Sequence, residues 1–568
     1  MTSVVRRIKD NIVLDNASSE ANHDLLPSPP HGRHWRWWNY SALWAGQSLD
    51  ASWWAVGSSF ISVGLTVSQT VAPVIIGCLL LGVAAVLNAS FGAHYHVGFP
   101  TMIRPTFGIT GSKWFIALRG VVGIIWYAIQ VYYMAELMNI MFTCVFGYKY
   151  KDWNPAVPAS AGTDAKTILN YFLAWTVSLP FAMLHPSKLR IVFTIRVVLA
   201  FAAFFTMFVW CTALGQNDPA GFKGFNILQE HPISGSALGW ATMSAINSIL
   251  ATTAPMITNQ SDVSRYAKTP KDAGWPQGFT IFVTKVTMAF FSIIAAASLQ
   301  SRYGGEAKWN IWDQLALLLE QNWNAATRCG CFVIAFGVAY SVMVTNVYCN
   351  SVPFGADIAA LWPRYFNIVR GQIFITLISL PVLPWQILAN AQDFLTFLGS
   401  YTFLMGALLG CQWGDFIVRK GNYHVPSIYN TAKKSIYMYT ERGYNWRGFA
   451  AWGVSFCLIF PGLVAAYIPD KMSVDAQRIY SMGWIISVPL SGVCYYVFNK
   501  FFPMKIVPDE HAEEPAIKKW LGMGPIDGIF PGESVGKLES PSPESDSSNA
   551  SIAEDEKKES VTVYSVMA

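Results

Sequence analysis

The sequence predicts an all-α polytopic membrane protein with twelve transmembrane helices, and three observations carry that expectation. Of its 568 residues, 53% are hydrophobic and only 13% charged, where a soluble domain carries about 25% charge. Apolar windows of about the 20 residues needed to cross lipid recur near 40–67, 71–92, 114–146, 167–184, 191–214, 236–258, 278–300, 329–352, 369–389, 393–413, 447–468 and 481–502. Lys and Arg gather in alternate loops, at Arg33/Arg36, Arg104/Lys113, Lys188/Arg190, Arg265/Lys268/Lys271, Arg364/Arg370 and Arg419/Lys420/Lys433/Lys434/Arg442. That bias places both termini in the cytoplasm. It also accounts for the net charge of +5, so no nucleic-acid partner is expected.

In chain order, residues 1–37 form a polar arm that reads as disordered. It runs into His34, Trp35, Arg36, Trp37 and Trp38, an aromatic and basic mixture suited to a membrane interface. A core of ten spans occupies 38–413, a cytoplasmic loop 414–446 and two further spans 447–502. Between spans 7 and 8, residues 311–319 show amphipathic helical spacing but are too short to cross; they read as a lid or a surface helix. The tail, 503–568, is polar and acidic and buries too little apolar surface to fold alone. Its Lys537, Lys557 and Lys558 are either plain solvated charges or attachment points for ubiquitylation and trafficking machinery.

Two spans are interrupted. Span 1 holds Gln47, Asp50 and Ser52 where lipid would demand apolar residues, and span 6 contains Pro255 behind Thr252, Thr253 and Ala254. Proline removes a backbone donor, and broken backbone at membrane depth persists only where it lines protein or water. Spans 1 and 6 stand five apart, as a five-plus-five inverted repeat with discontinuous helices 1 and 6 requires, leaving two peripheral helices. No internal sequence similarity supports that symmetry by itself.

Polar residues also sit inside otherwise apolar spans. Trp126 and Gln130 in span 3 are one helical turn apart, as are Asn346 and Asn350 in span 8, which also carries Ser341, Thr345 and Asp357. Singly, each has a bland reading: an interface aromatic, or amides joining helices. Together they describe an indole for stacking and amides whose donors and acceptors complement the N–H and C=O edge of a small flat heterocycle. His94 and His96 lack companions for a metal and read as loop packing. The Asn-x-Ser triplets at Asn16, Asn88, Asn259 and Asn549 fall on the cytoplasmic side and are not read as glycosylation sites.

Several separate motifs then agree. Asn39-Tyr40 leads into a Trp-rich first span; His96-Val97-Gly98-Phe99-Pro100, Arg104 and Phe107-Gly108 precede span 3; Trp126 and Gln130 follow. The run from Asn259 to Tyr266 follows span 6, and Gly421-Asn422-Tyr423-His424-Val425 follows span 10. Over residues 24–500 the chain resembles the nucleobase–cation symporter-1 family, most closely its fungal uracil/allantoin/urate permease branch. The resemblance implies that Trp126 stacks on substrate and that Gln130 and Asn350 hydrogen-bond it, with Asn346 and Ser52 in the same pocket. It implies a gate on span 10 at Phe397, Leu398 and Tyr401, while Asp262 beside Arg265 reads as an ion pair latching the inner gate, ahead of a proton-carrying role for Asp262.

Two departures bear on specificity. Where bacterial relatives place a second tryptophan in span 6, this chain has Thr253, which leaves room for a bulkier guest. Sodium-coupled relatives use paired hydroxyls in span 8; here Val344 stands beside Thr345, and a methyl cannot ligate Na⁺. Proton coupling is therefore expected, with Asp357 the first candidate by resemblance and Asp50, Glu136 and Asp262 behind it, while Ser341 and Thr345 remain at the cation position. The expected function is proton-coupled import of a small planar nucleobase or ureide at the plasma membrane, with no cofactor or bound metal. A nucleoside or vitamin-like heterocycle is the alternative substrate. An intramembrane enzyme is the alternative class, for which no catalytic cluster is found.

Overall fold

The computed structural model describes residues 13–14, 21–29, 32–183, 190–216, 233–429, 435–468, 472–506 and 508–509. Lys188, Lys433, Lys434, Asn16, Asn549 and the tail lysines Lys537, Lys557 and Lys558 lie outside the described residues.

Among the described residues, seven helices are continuous, long and apolar enough to cross lipid: Val67–Tyr95 (span 2), Ser112–Phe146 (span 3), Val192–Gln216 (span 5), Trp275–Tyr303 (span 7), Ala325–Leu361 (span 8), Ala391–Arg419 (span 10) and Trp446–Tyr467 (span 11). Span 12 is bent by 78° between Val474–Ser481 and Gly483–Phe501, and the Asn247 side chain accepts the Trp484 N–H at the bend, at 2.8 Å. Span 4 is Ala165–Ala182, and span 9 is only Ile368–Ile378. The shortening of span 9 follows from Pro381 and Pro384, which supply no N–H to continue the helix.

Spans 1 and 6 are both broken, as the sequence requires. Span 1 is Trp37–Ser48 followed by Ala51–Ser62, and Asp50 caps the second half by accepting the Ser52 N–H at 3.0 Å. Span 6 is Gly235–Ala251 followed by Ala254–Thr258. Pro255 cannot donate to the Ala251 carbonyl one turn back. The Tyr401 hydroxyl of span 10 does so instead, at 2.9 Å. Asn88 of span 2 donates to the carbonyls of Ile257 and Thr258 where the short second half ends.

Small residues let the spans approach closely. At the crossing of spans 2 and 7, a methyl on Gly82 would come within 2.7 Å of the Gly278 carbonyl oxygen. Spans 10 and 12 meet along Gly406, Gly410 and Gly414, where a methyl on Gly410 would come within 2.1 Å of the Val488 carbonyl oxygen.

Each end of the bundle is closed by an extra element. At one end the amphipathic segment forms Ile311–Gln321, whose Trp312 packs on Tyr133 at 4.9 Å and whose Gln314 accepts the Trp54 indole N–H at 3.1 Å. It is a cover over the bundle. At the other end residues 21–29 are packed onto the body, contrary to the disorder read from their composition. Leu25 is buried with Phe99, Ile103 and Phe107. Asn22 donates to the carbonyls of Pro363 and Phe366, Asp24 accepts the Ile368 N–H, and the Ser28 N–H bonds the His96 carbonyl. Cross-links from several loops order a strap whose own composition is too polar to order itself.

Two arginines counted in sequence as loop charges are interior. Arg104 donates to the Ile428 carbonyl, and Arg419 is locked to Asp415. Asn88 and Asn259 are also buried, and His94 and His96 bond the carbonyls of Ser90 and Arg265.

Candidate functional site

The break in span 1 faces span 3, so the Asp50 carboxylate, the Ser52 hydroxyl and the Gln130 amide converge. Gln130 Nε2 donates to Asp50 Oδ2 at 3.2 Å and to Ser52 Oγ at 3.3 Å, and the Ser52 hydroxyl donates to the same carboxylate oxygen. Asp50 Oδ1 and Gln130 Oε1 are buried with no hydrogen-bond partner. Stranding buried oxygens costs about 1–3 kcal/mol each.

One turn before Gln130, Trp126 meets span 10 at the residues expected to form a gate. Its ring lies 5.9 Å from Phe397 and 6.4 Å, edge-on, from Tyr401. Phe397, Leu398 and Tyr401 are all buried, so span 10 covers the indole in this closed arrangement. The Tyr401 bond to Ala251 ties the cover to the break in span 6, beside which Thr253 is wholly buried.

Span 8 contributes its amides from a distorted turn. Val347–Ser351 is a π-helical turn within the span, and the following Pro353 explains it by withholding the N–H owed to the Cys349 carbonyl. Asn350 Nδ2 donates to Asn346 Oδ1 at 3.0 Å, and Asn346 Nδ2 donates to the Tyr127 carbonyl at 3.2 Å. In this conformation the two asparagines are joined to each other and to span 3. The structure thus brings Asp50, Ser52 and Gln130 into one cluster, Trp126 with the span 10 residues into a second, and the Asn346–Asn350 pair into a third.

The hydroxyls of Ser341 and Thr345, expected from the resemblance to sit at a cation position, are engaged by an arginine. Arg196 of span 5 donates to Ser341 Oγ at 3.2 Å, to Thr345 Oγ1 at 2.7 Å and to the Gly46 carbonyl at the span 1 break. Ser341 in turn donates to the Leu49 carbonyl at 2.5 Å. A guanidinium never gives up its charge in a protein, so the hydroxyls expected to hold a coupling ion hold a fixed one.

Asp357 lies toward the strapped end as half of a buried ion pair with Arg119 of span 3. Asp262 and Arg265 lie nearby but do not form the expected ion pair. Asp262 accepts the Phe99 N–H at 2.7 Å and the Asn259 amide at 3.2 Å, while Arg265 donates to the Asp24 carbonyl at 3.0 Å and the Tyr266 hydroxyl at 2.7 Å. Each fastens a different loop to the end of span 6, Asp262 the Phe99 turn and Arg265 the Asp24 strap.

Sequence reasoning missed Arg119, Arg196 and Lys285. All three are charges inside apolar windows, and that rarity was the available signal.

The sequence profile of the family described as "Permease for cytosine/purines, uracil, thiamine, allantoin" matches residues 27–487. An allantoin permease of Saccharomyces cerevisiae is 32% identical over 511 residues, covering 88% of this chain and 80% of that one. A uracil permease of the same yeast is 31% identical over 494 residues, covering 86% and 77%. In fold, the chain resembles Mhp1, a nucleobase-cation-symport-1 family transporter in a closed conformation with bromovinylhydantoin bound, at a TM-score of 0.66 and 16% identity, covering 88% of this chain and 100% of that one.

Proposed function

The chain belongs to the family of permeases for cytosine/purines, uracil, thiamine and allantoin, and is thus a multi-pass membrane transporter rather than an enzyme; we propose that it imports a small planar nucleobase or ureide across the plasma membrane by proton symport. The observation that carries the substrate reading is the pair of unfilled acceptors, Gln130 Oε1 and Asp50 Oδ1, in a cluster whose Gln130 stands one helical turn from Trp126. A flat ring with N–H groups on its edge supplies the missing donors and stacks on that indole. Asn350, whose amide is engaged by Asn346 in the closed form, is assigned the opposite edge once that bond opens.

In the cycle that follows from this arrangement, span 10 lifts, the ring stacks on Trp126, and Gln130 and Asn350 take its amide edges. Phe397, Leu398 and Tyr401 then close over it. The bundle of broken helices turns against the remaining spans, and the strapped end parts at Asp262 and Arg265. That end faces the cytoplasm, with both termini, if the loop charges orient the chain as they do in other membrane proteins. Ubiquitylation of the tail lysines belongs to the same proposal.

Proton coupling is favoured by Arg196: a metal cation at Ser341 and Thr345 would face a permanent positive charge. Asp357→Asn tests the acidic candidate, since a carrier at Asp357 requires that uptake lose its pH dependence and an unaltered pH profile removes it.

The test of the whole reading is uptake in cells lacking their own permeases. Labelled uracil or allantoin should accumulate unchanged against its gradient, and Gln130→Ala should abolish this while the protein remains at the surface. Mere equilibration would indicate a channel, and chemical conversion an enzyme. The buried Thr253, small where a second aromatic would narrow the pocket, favours a nucleoside or vitamin-like heterocycle as the second reading. A competition panel of purines, pyrimidines, ureides and nucleosides separates the two.

A further inference from the structure

The last turn of a helix leaves carbonyls short of intrahelical donors and carries partial negative charge. The first half of span 1, Trp37–Ser48, ends in this way at the break. Arg196 of span 5 meets that end. Its side chain is 3% exposed, and its guanidinium donates to the Gly46 carbonyl of the last turn as well as to Ser341 Oγ at 3.2 Å and Thr345 Oγ1 at 2.7 Å in span 8.

The two hydroxyls are oriented by this. Each accepts from the guanidinium and passes its own proton to a carbonyl, Ser341 to Leu49 at 2.5 Å and Thr345 to Ser341 at 2.9 Å. The acceptors gathered round Arg196 are thus neutral oxygens at a half-helix C-terminus, a setting that suits a single positive charge. Here that charge is covalently part of the chain and permanent.

The position of the cluster gives it a consequence for transport. Gly46 and Leu49 belong to a broken helix, whereas Arg196, Ser341 and Thr345 belong to spans 5 and 8, against which the broken helices turn in the proposed cycle. Leu49 directly precedes Asp50, which caps the second half of span 1 and accepts the Gln130 amide. Holding the Gly46 and Leu49 carbonyls therefore fixes where the Asp50, Ser52 and Gln130 cluster starts.

Resting on the transport reading above, we propose that Arg196 is a positioning residue that acts as a tethered cation at the span 1 break, holding the Gly46 and Leu49 carbonyls in the register that substrate binding needs without an ion from solution. It neither touches substrate nor carries a proton, and no covalent bond forms or breaks. The charge is what matters: without it the negative end of the half-helix and two oriented hydroxyls face a buried space with no donor. The planar fork of a guanidinium is also what reaches three separate oxygens at once.

The experiment uses the purified full chain in detergent with labelled uracil or allantoin, whichever the wild type accumulates in cells lacking their own permeases. Wild-type affinity should be the same in sodium chloride and in choline chloride. Arg196→Ala in choline chloride should bind about 10- to 100-fold more weakly, the range of a lost hydrogen bond to a charged group. Replacing choline by guanidinium at equal ionic strength should recover most of that loss and leave the wild type unmoved. Arg196→Lys, which keeps a tethered charge, should bind without added guanidinium, and it serves where the alanine variant does not fold. A purely structural role would lower the melting temperature without making binding depend on a dissolved cation. The proposal is overturned by a wild type that needs sodium, by an alanine variant that binds as the wild type does in choline, by a folded alanine variant that guanidinium does not restore, or by a lysine variant that binds only when guanidinium is added. A wild type that accumulates neither probe and none of the competition panel overturns the transport reading itself, a result seen before any variant is made.

Discussion

Two buried polar networks of equal depth do opposite things. At the end of span 10, Arg419 and Asp415 are wholly buried, and Arg419 Nε donates to both carboxylate oxygens, at 2.9 Å and 3.1 Å. Tyr423 and Tyr495 add hydroxyl donors at 3.0 Å and 2.7 Å, so each oxygen of Asp415 has two partners. Around the span 1 break, Asp50 is 1% exposed, yet all its donors fall on Oδ2 and Oδ1 has none. The Asp415 carboxylate is saturated and fastens loops together, although Arg419 Nη1 beside it has no partner. The Asp50 carboxylate at the same depth is half unsaturated, and the proposed guest would fill it.

That contrast predicts a graded set of outcomes. The largest is structural: Asp415→Ala leaves the Arg419 guanidinium buried without its carboxylate, a loss of about 3–5 kcal/mol, and thermal unfolding in detergent should show a protein that barely folds. A stable Asp415→Ala variant with impaired uptake would erase the distinction. Next is Gln130→Ala, which should weaken substrate binding by about 10- to 100-fold, the cost of about 1–3 kcal/mol for a stranded partner, while the melting temperature moves little. A comparable fall in stability would make Gln130 a fastener too.

Trp126→Phe keeps a stacking face but a smaller one, and should raise the apparent KM by a few-fold, in line with the roughly 0.5–1.5 kcal/mol of an aromatic pair; an unchanged KM would place the ring elsewhere. The smallest effect concerns His96, outside the spans. Burial pushes its imidazole down to about 4 from 6.5, so between those values the unfolded chain binds a proton that the native chain refuses. Native stability should therefore fall as pH drops through that window. His96→Asn, which also accepts the left-handed backbone found there at φ 56°, should flatten that slope in melts taken from pH 7 to 4.

The fold was largely legible. Hydropathy gave the spans because lipid tolerates only helices with satisfied backbone, and Pro255 with the Gln47/Asp50/Ser52 set marked the two breaks. Span 9 ended early because of prolines that a hydropathy window averages away. The candidate residues were legible as types: Trp126, Gln130, Asn346 and Asn350 are conspicuous in apolar surroundings. Their partners were not. Nothing in the spacing of Ser341 and Thr345 reveals that a guanidinium 145 residues away from Ser341 in sequence lies between them and Gly46.

The sequence by itself determined that this chain spans a membrane, where its helices break, and which polar groups are too costly in lipid to be incidental. Only tertiary structure decided which of those groups are saturated and which are left open, that Arg196 donates to Ser341 and Thr345, and that Lys285 Nζ stands without an acceptor. The reason is geometric. Burial cost belongs to a residue and can be read along the chain, but hydrogen-bond satisfaction belongs to pairs of atoms brought together from distant spans.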